Sequence, residues 1–482
     1  MNLSFKELVD TLGTPSKLIV SSTPQLAADV EQHARERVGP KRKSSYMYRK
    51  RLEAVDTKLL TGMESSPAEV LRELGLATTF VTASPFADIA RHWAHVRYCA
   101  TLRQTPKQTL ALSKTGADIV HHHKVAQSEQ IGIGLALVVA KRILERKYPG
   151  WIFSSVDVDT TLAAGFLDGV GPVRQKNKTT MRPDYFLIGR HASGTTANCK
   201  VFVLECKGTH GSAYHSRQQM ATASLQVGSV EVASRTLPSL IVASRLSVSG
   251  VEIDVLDPPG DEDLWSGEPE QFDELVVENP ESPQWTSGQP TFEQFTKRKS
   301  DLLGIPQDEM LASQDERTKF EEIQKDLPVV FNIPGSGKPW LFRTLARNAA
   351  HTTLRFAGDN KAAAKFATPR VGTQRSLPLD EPIAEWYDSM IGSEIRIGSR
   401  DFVGVKYSMP ILNGKSFEIF RGVEKELYER LRQGKVSAYL SHAHRLREEW
   451  QGRPEVYGRL RANNDAVSVG NDGTVIKLRI KD

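Results

Sequence analysis

An acidic and a basic side chain close an otherwise apolar stretch of the sequence. The run Val201–Leu204 is followed by Glu205, Cys206 and Lys207. Alternate side chains of a β-strand point to the same face, so Glu205 and Lys207 share one face of the strand that this run predicts. Residues that are apolar on both faces are typical of a central, covered strand. Charged groups at the end of such a strand are costly to desolvate unless they are paired or bind a metal ion.

A second carboxylate precedes the neighbouring apolar stretch. Asp184 stands directly before the run Tyr185–Ile188. If the two predicted strands pair, Asp184 lies close to Glu205, and a cation between them would relieve the repulsion of the two carboxylates. Oxygen ligands favour a hard ion, here Mg²⁺ or Mn²⁺. Such an ion polarises a phosphodiester and acidifies bound water, while Lys207 would orient that water and stabilise the charge on the phosphorane. A salt-bridged strand end is the alternative interpretation.

Both runs belong to a longer series of predicted elements. We predict a helix over 128–147, strands over 151–158, 182–188 and 200–207, a helix over 217–233 and a strand over 237–244. The apolar patterns and the flanking Gly and Pro residues favour these elements. The resulting order is α-β-β-β-α-β, which predicts an α/β core around a sheet.

The acidic and basic residues of this region form a recognisable motif. The segment Pro183-Asp184, a spacer of 20 residues and then Glu205-Cys206-Lys207 resembles the PD-(D/E)xK motif of restriction-endonuclease-like nucleases. The resemblance covers roughly residues 126–247 and includes the order of elements. It implies a restriction-endonuclease-like core in which Asp184 and Glu205 bind Mg²⁺ or Mn²⁺ and Lys207 is the catalytic lysine. It further implies that the backbone carbonyl of Cys206 contacts the metal.

Two further site residues follow from the resemblance, because many members add a carboxylate from the first helix and a glutamine from the second. Glu129 lies at the start of the first helix, and Ile133 continues the face that can turn it toward the sheet. We therefore predict Glu129 as a catalytic residue and metal ligand. A solvated helix start is the alternative. Among Gln218, Gln219 and Gln226 we choose Gln219 as a nucleic-acid contact, although each suits an ordinary helix surface.

The same resemblance implies a function. A protein of this kind is a metal-dependent endonuclease that hydrolyses phosphodiester bonds, with DNA as the expected substrate. Large bacterial chains with such a core often serve in defence against phage or in restriction. Many relatives cut two strands as dimers, so a homodimer is one expected assembly, and a nuclease subunit that works with partner protein subunits is another. The alternative is a non-catalytic nucleic-acid-binding or scaffold subunit of a larger nuclease complex, which would keep the fold and use its basic surfaces.

Clusters of cations outside the motif favour a polyanionic partner. The segment 41–51 places six Lys and Arg residues around two tyrosines, which can stack on bases. A basic loop over 159–181 precedes the strand of Asp184. Solvated surface segments are the alternative for both. The predicted nucleic-acid contacts in these segments are Lys41, Arg42, Lys43, Arg49, Arg174, Lys176 and Lys178.

Charge and composition divide the 482 residues into four regions. Residues 1–125 predict a basic, mainly helical N-terminal region, and 126–250 contain the nuclease-like core. Residues 251–330 carry 21 acidic and 6 basic side chains and eight prolines, which favours a linker or loosely folded excursion. That block can also cover a basic cleft or bind a partner. Residues 331–482 predict a mixed α+β C-terminal domain.

Several other classes of protein are disfavoured. The longest apolar stretch, over 131–140, is too short to cross a membrane, so we expect no membrane partner. The three cysteines include no CxxC pair, which fits a reduced, cytoplasmic protein without a cysteine-rich zinc site. The segment Pro334–Lys338 resembles a phosphate loop, but Pro339 replaces the Ser or Thr that would coordinate magnesium.

Overall fold

A mixed α/β fold fills the part of the chain that the computed structural model describes. The described residues are 5–37, 48–78, 95–163, 182–191, 199–262, 285–366, 391–451 and 465–481. None of the helices in these ranges is long and apolar enough to cross a membrane. Six of the predicted nucleic-acid contacts lie outside the described residues, namely Lys41, Arg42, Lys43, Arg174, Lys176 and Lys178.

Helices occur along the whole length of the described chain. They are α1 (Phe5–Gly13), α2 (Pro24–Arg37), α3 (Thr57–Leu60), α4 (Pro67–Ala77), α5 (Lys114–Ala117), α6 (His121–Lys147), α7 (Val158–Ala163), α8 (Ala213–Gln226), α9 (Phe292–Leu303), α10 (Gln307–Ala312), α11 (Gln314–Ile323), α12 (Lys338–Phe356), α13 (Asn360–Ala364), α14 (Lys425–Arg432) and α15 (Val436–Gln451).

Strands alternate with these helices. They are β1 (Ser16–Lys17), β2 (Ile19–Ser21), β3 (Glu64–Ser65), β4 (Leu102–Gln104), β5 (Leu110–Leu112), β6 (Trp151–Asp157), β7 (Tyr185–His191), β8 (Cys199–Thr209), β9 (Val230–Val232), β10 (Arg235–Thr236), β11 (Ser239–Leu246), β12 (Val251–Leu256), β13 (Thr286–Gly288), β14 (Val330–Ile333), β15 (Ser393–Ile397), β16 (Arg400–Pro410), β17 (Ser416–Glu424), β18 (Asp465–Val469) and β19 (Thr474–Lys481).

A six-stranded sheet contains both apolar runs of the candidate site, Tyr185–Ile188 in β7 and Val201–Leu204 in β8. Its strand order is β2-β12-β11-β8-β7-β6. Strands β6, β7 and β8 form an antiparallel meander, and β11 lies parallel to β8. Strand β8 therefore has a paired neighbour on each side, as the double-sided apolar pattern of its sequence predicts.

The predicted order of elements is present in this part of the chain. Elements α6, β6, β7, β8, α8 and β11 follow one another, with the short α7, β9 and β10 between them. Helix α8 ends at Gln226, earlier than the predicted 233. Residues Val230–Val232 form β9, which pairs in parallel with β14 about a hundred residues away. That distant pairing has no local sequence signal, which explains the wrong boundary.

The two faces of the sheet pack against different helices. Apolar side chains of α6 and α4 pack on one face of the sheet, against Leu187, Leu204 and Val242 of three adjacent strands. Helices α8 and α12 cover the other face, where Phe186 and Val203 are buried. Apolar side chains cover both faces, and the half-buried Asp184 and Lys207 lie where β7 begins and near the end of β8.

The central sheet continues beyond the region that we predicted as the nuclease-like core. Strand β12 begins at Val251, inside the acidic block, and pairs with β11 on one side and β2 on the other. Residues 285–333 add α9, α10, α11 and two strands of a second sheet, with the order β10-β9-β14-β13. These described parts of 251–330 are ordered elements rather than a linker, because their apolar side chains pack even though their net charge is acidic.

The sequence patterns predicted the secondary structure of the C-terminal region more closely than that of the N-terminal region. The N-terminal region contains α1 to α5 but also five short strands, so it is less purely helical than predicted. Strands of two or three residues are too short for an alternating pattern to reveal. The C-terminal region is mixed α+β as predicted, with a sheet of order β15-β16-β17-β19-β18 and the helices α14 and α15.

A close approach of helix and strand fixes α6 against the end of β8. A Cβ atom added at Gly208 would lie 1.8 Å from the carbonyl oxygen of Ser128, and one added at Gly132 would lie 2.9 Å from the Cα of Gly208. Only glycine leaves room for this contact of two backbones. The contact holds the first turns of α6 beside the end of β8.

We predict that Gly208→Ala lowers the free energy of unfolding by at least about 2 kcal/mol, because the added methyl overlaps backbone that cannot move independently. Urea denaturation monitored by circular dichroism measures this difference. Gly288→Ala is the matched control, since a Cβ at that strand position would meet nothing within 4 Å. Equal stability of the two variants would contradict the proposed close contact.

Candidate active site

The end of the β7–β8 pair brings Asp184 and Glu205 together. The register pairs Tyr185 with Leu204, so the two acidic residues are adjacent across the strands. The backbone N–H of Asp184 donates to Oε2 of Glu205 over 3.1 Å, and the N–H of Cys206 donates to Oδ2 of Asp184 over 2.8 Å. Each carboxylate thus accepts a backbone hydrogen bond from the other strand, which fixes the position of both.

Lys207 completes this group on the same strand. Its Nζ donates to Oε1 of Glu205. Glu205 is fully buried, whereas the side chain of Lys207 retains 21% of its exposure. Burial, and then the charge of Asp184, raise the pKa of Glu205 to about 8. Burial lowers the pKa of the Lys207 ammonium. The attraction of Glu205 and Asp184 outweighs this effect, so the pKa is raised overall. Lys207 therefore remains charged through the physiological range.

An open cleft of about 660 Å³ begins at this group and runs between the first halves of α6 and α8. Asp184, Cys206 and Lys207 form one wall, Glu129 lies on the α6 side and Gln219 on the α8 side. Five residues of the predicted site therefore line one space. Glu205 lies behind this wall, where it contacts both Asp184 and Lys207. We call this space the cleft.

Carboxylates accumulate around Asp184. Burial raises the pKa of Asp184, the charge of Lys207 lowers it, and the charges of Asp157 and Glu129 raise it further. Asp157 was not predicted as a site residue, although it ends β6 opposite Tyr185, directly beside Asp184. Its exposed side chain caps the next turn by accepting from the N–H of Thr160 over 2.7 Å. The meander of three strands is the signal that could have identified it.

The donor set of the cleft suits a hard divalent ion. Asp184 and Glu129 offer carboxylate oxygens to the cleft, and the bond from Cys206 N–H to Oδ2 of Asp184 leaves Oδ1 to another partner. Glu205 lies directly behind Asp184, with its oxygens bonded to Lys207 and to the N–H of Asp184. The Oε1 atom of Gln219 is buried and has no hydrogen-bond donor among the described residues. Mutual repulsion of the acidic groups, which the raised pKa values of Asp184 and Glu205 reflect, is relieved by a cation.

The thiol of Cys206 does not take part as a nucleophile. It is buried on the opposite face of β8, and burial together with the charges of Asp184 and Glu205 raises its pKa far above the ordinary value for a thiol. A protonated thiol is a poor nucleophile and a poor metal ligand. Any contribution of Cys206 to a metal site would therefore come from its carbonyl, and that contact stays a prediction.

Another acidic group meets a simple distance criterion for metal binding. In the described part of the chain, the ligand atoms of Glu424, Glu426 and His442 all lie within 4.8 Å of one another, which those of Glu129, Asp184 and Glu205 do not. Glu424 already has a structural role, because its Oε2 accepts from the N–H of Leu427 and caps α14. Its other oxygen lies 3.8 Å from Arg400. Nearby cations and the helix cap explain this group without a metal.

A second large cleft, of about 570 Å³, lies between α4, α6 and the hairpin that β18 and β19 form. Its charged side chains are paired with one another. Lys141 contacts Glu73 over 2.6 Å, and Arg447 contacts Glu145 over 3.4 Å. The first pair joins α6 to α4 and the second joins α6 to α15, so these four charged side chains have structural partners.

Arg49 lies in a different environment from the one we predicted. Only 2% of the residue is exposed, and its guanidinium is 3.0 Å from a carboxylate oxygen of Glu31. Its neighbour Lys50 is also buried and donates to the carbonyls of Leu237 and Pro258. The prediction that Arg49 contacts nucleic acid is therefore wrong for this structure, because a buried, paired guanidinium is not accessible to a phosphate.

The raised pKa of Glu205 makes stability depend on pH. Because the pKa of Glu205 in the folded protein exceeds the ordinary value of 4.5, protonation of Glu205 favours the folded state. Its contribution to the free energy of unfolding is fully present below about pH 4.5 and is lost as the pH rises through about 8. We predict that Glu205→Gln, which keeps a neutral side chain at every pH, becomes more stable relative to the unaltered protein between pH 5 and pH 9. Urea denaturation across this range measures the difference.

The control for this experiment is Glu394→Gln, which changes a half-exposed carboxylate of the C-terminal sheet that pairs with Lys425. A stability difference for Glu205→Gln that stays constant over the whole pH range would contradict the raised pKa. A parallel trend in both variants would show that the effect does not come from burial at β8.

Comparisons with known proteins complete the description of the site. A scan against protein-family models, a search of curated proteins and a search of solved structures each found no match. The functional interpretation of this chain therefore depends on the residues of the cleft and their geometry.

Proposed function

We propose that this chain is a metal-dependent nuclease that hydrolyses phosphodiester bonds in DNA, with a restriction-endonuclease-like core over 126–250. The observation that carries the proposal is the meeting of Asp184, Glu205 and Lys207 at one end of two paired central strands, beside an open cleft. The order α-β-β-β-α-β around this pair supports it. A role in defence against phage or in restriction follows from the same resemblance and forms part of the proposal.

The residues of the cleft divide the chemistry among them. Asp184, Glu205, Glu129 and the carbonyl of Cys206 would hold Mg²⁺ or Mn²⁺. A bound divalent ion supplies charge stabilisation for the reacting phosphate and lowers the pKa of a coordinated water. Lys207 contributes an ammonium that stays charged at neutral pH and can donate to a water or to a negatively charged phosphate oxygen.

The rim of the cleft suits a phosphate backbone. Lys124 lies on the α6 side, and His210 and His215 lie between β8 and the first turn of α8. Burial and the charge of Lys124 lower the pKa of His210, so its imidazole is neutral at pH 7 and can still donate one hydrogen bond. Phosphate oxygens accept from such donors, and they supply most of the affinity of proteins for nucleic acid.

A binding or scaffold subunit without catalysis is the alternative to a nuclease. The same cleft and rim would bind nucleic acid in that case. A scaffold has no requirement for a carboxylate pair and a lysine in one group, however, and a phosphate is repelled by uncompensated carboxylates. The two functions differ in what happens when one carboxylate is removed.

We predict that Asp184→Asn reduces metal-dependent DNA cleavage by at least about 100-fold, since even the loss of residues that only orient metal ligands costs 10–100-fold. Purified protein is incubated with supercoiled plasmid, linear duplex, single-stranded DNA and RNA, with Mg²⁺, Mn²⁺ or EDTA. Nucleic-acid binding in EDTA is measured in parallel by fluorescence anisotropy. Binding should be retained or strengthened, because the lost carboxylate repels phosphate.

The matched control is Asp401→Asn, which removes an acidic side chain of the C-terminal sheet that pairs with Arg396. It should leave cleavage unchanged. Full cleavage by Asp184→Asn would show that the catalytic site is elsewhere. Binding without cleavage in every metal by the unaltered protein would favour the scaffold function.

Binding should depend steeply on ionic strength. We predict that the affinity for DNA in EDTA falls by at least about 100-fold between 50 and 200 mM salt, as expected when about four or more phosphates are neutralised. Lys124→Ala should reduce the slope of log affinity against log salt by about 0.9, the contribution of one phosphate. The control is Lys406→Ala, since Lys406 lies in the C-terminal sheet and pairs with Glu418. A flat salt response would contradict the polyanion partner.

A further inference from the structure

An exposed group of aromatic rings lies beside the cleft. Tyr214 is the second residue of α8, and 53% of it is exposed. Its ring centroid lies 4.8 Å from that of His33 on α2 and 5.9 Å from that of His215, both in edge-to-face geometry. These two contacts restrain the orientation of the tyrosine ring, and about half of the residue stays open to solvent. We call these three residues the aromatic platform.

The platform is continuous with the candidate site. His215 belongs to the platform and also lines the cleft with Asp184 and Gln219. The Nδ1 atom of His215 lies 3.0 Å from Oγ of Ser212, which ties the ring to the start of the helix. A molecule that follows the cleft away from Asp184 along α8 therefore meets the platform within the first turn of the helix.

Two contacts hold the platform in place. Arg217 on α8 lies 3.2 Å from Oδ2 of Asp29 on α2, three residues along α8 and four residues along α2 from the Tyr214–His33 contact. Helices α2 and α8 are thus joined by an ion pair and by a ring contact one turn apart. A tyrosine whose backbone and neighbouring ring are fixed loses little further entropy when a flat ligand stacks on it.

The opposite rim of the cleft is also partly apolar. Val125 on α6 lines the cleft and is 56% exposed. Lys124 stands beside it on the same helix. An aromatic platform on one rim, with an exposed aliphatic side chain and the cation Lys124 on the other, suits a ligand with flat apolar groups on a charged backbone. Nucleic-acid strands with unpaired bases have this chemistry.

We propose that Tyr214 stacks on an unpaired base of the bound strand, so that the substrate of the cleft is single-stranded nucleic acid or a frayed duplex end. This proposal rests on the proposed function. Bases within a duplex are already stacked on both sides, and only an unpaired base offers a free face to a protein ring. The platform therefore selects for strandedness rather than for base sequence, because every base has a face that can stack.

Binding measured without cleavage tests this selection. Fluorescence anisotropy in EDTA is recorded with a labelled single-stranded DNA, an RNA of the same sequence and the fully paired duplex. We expect Tyr214→Ala to weaken binding of single-stranded DNA or RNA about tenfold and to leave duplex binding within about twofold. Tyr214→Phe should retain the affinity, since it keeps the ring. The DNA and RNA arms show which of the two sugars the cleft accepts.

Leu412→Ala is the matched control, because Leu412 is 76% exposed but lies in the turn between β16 and β17. An equal loss on single strands and duplex, or no loss with Tyr214→Ala, would overturn the stacking proposal. If metal-dependent cleavage that needs Asp184 persists in that case, the proposed function stands without it. Absence of any nucleic-acid binding or cleavage by the unaltered protein would overturn both.

Discussion

The structure around the cleft depends on the burial of one carboxylate. Glu205 is fully enclosed at the end of a central strand, and an isolated buried charge there would be strongly destabilising. Its two oxygens accept from the ammonium of Lys207 and from the backbone N–H of Asp184. These partners compensate only part of the cost, since the pKa of Glu205 still rises to about 8.

The glycine contact between α6 and β8 connects this carboxylate to the rest of the cleft. Backbone atoms near Gly132 and Gly208 lie too close for any side chain to intervene, so the first turns of α6 follow the end of β8 closely. Glu129 belongs to this part of α6, between Ser128 and Gly132, and its charge raises the pKa of Asp184. The spacing of helix and strand thereby sets the distance between the outer carboxylate and the pair on the strands. The apolar core on the same face makes that spacing rigid.

Local patterns in the sequence predicted the strands of the candidate site but not the features that depend on residues far away in the chain. Alternation and apolar runs predicted β6, β7, β8 and β11, and the register of β7 with β8 then places Asp184 beside Glu205. The role of Asp157, the burial of Arg49 and the strand beginning at Val251 depend on partners far away in the chain, such as Glu31 for Arg49. Composition describes the average solubility of a segment, whereas pairing depends on a few buried residues, so the acidic composition did not reveal the strands and helices of the described parts of 251–330.

Competition for Glu205 links the resting site to its proposed chemistry. In the structure, Lys207 donates to Glu205. A divalent ion held by the same carboxylate would favour its charged form, and the repulsion between the two cations would weaken the contact of Glu205 with the ammonium. Lys207, already partly exposed to the cleft, would then be available to a phosphate oxygen. Under the proposed function, Glu205 would hold the ion and Lys207 would supply an ammonium to the phosphate, two roles that a scaffold that only binds nucleic acid does not need.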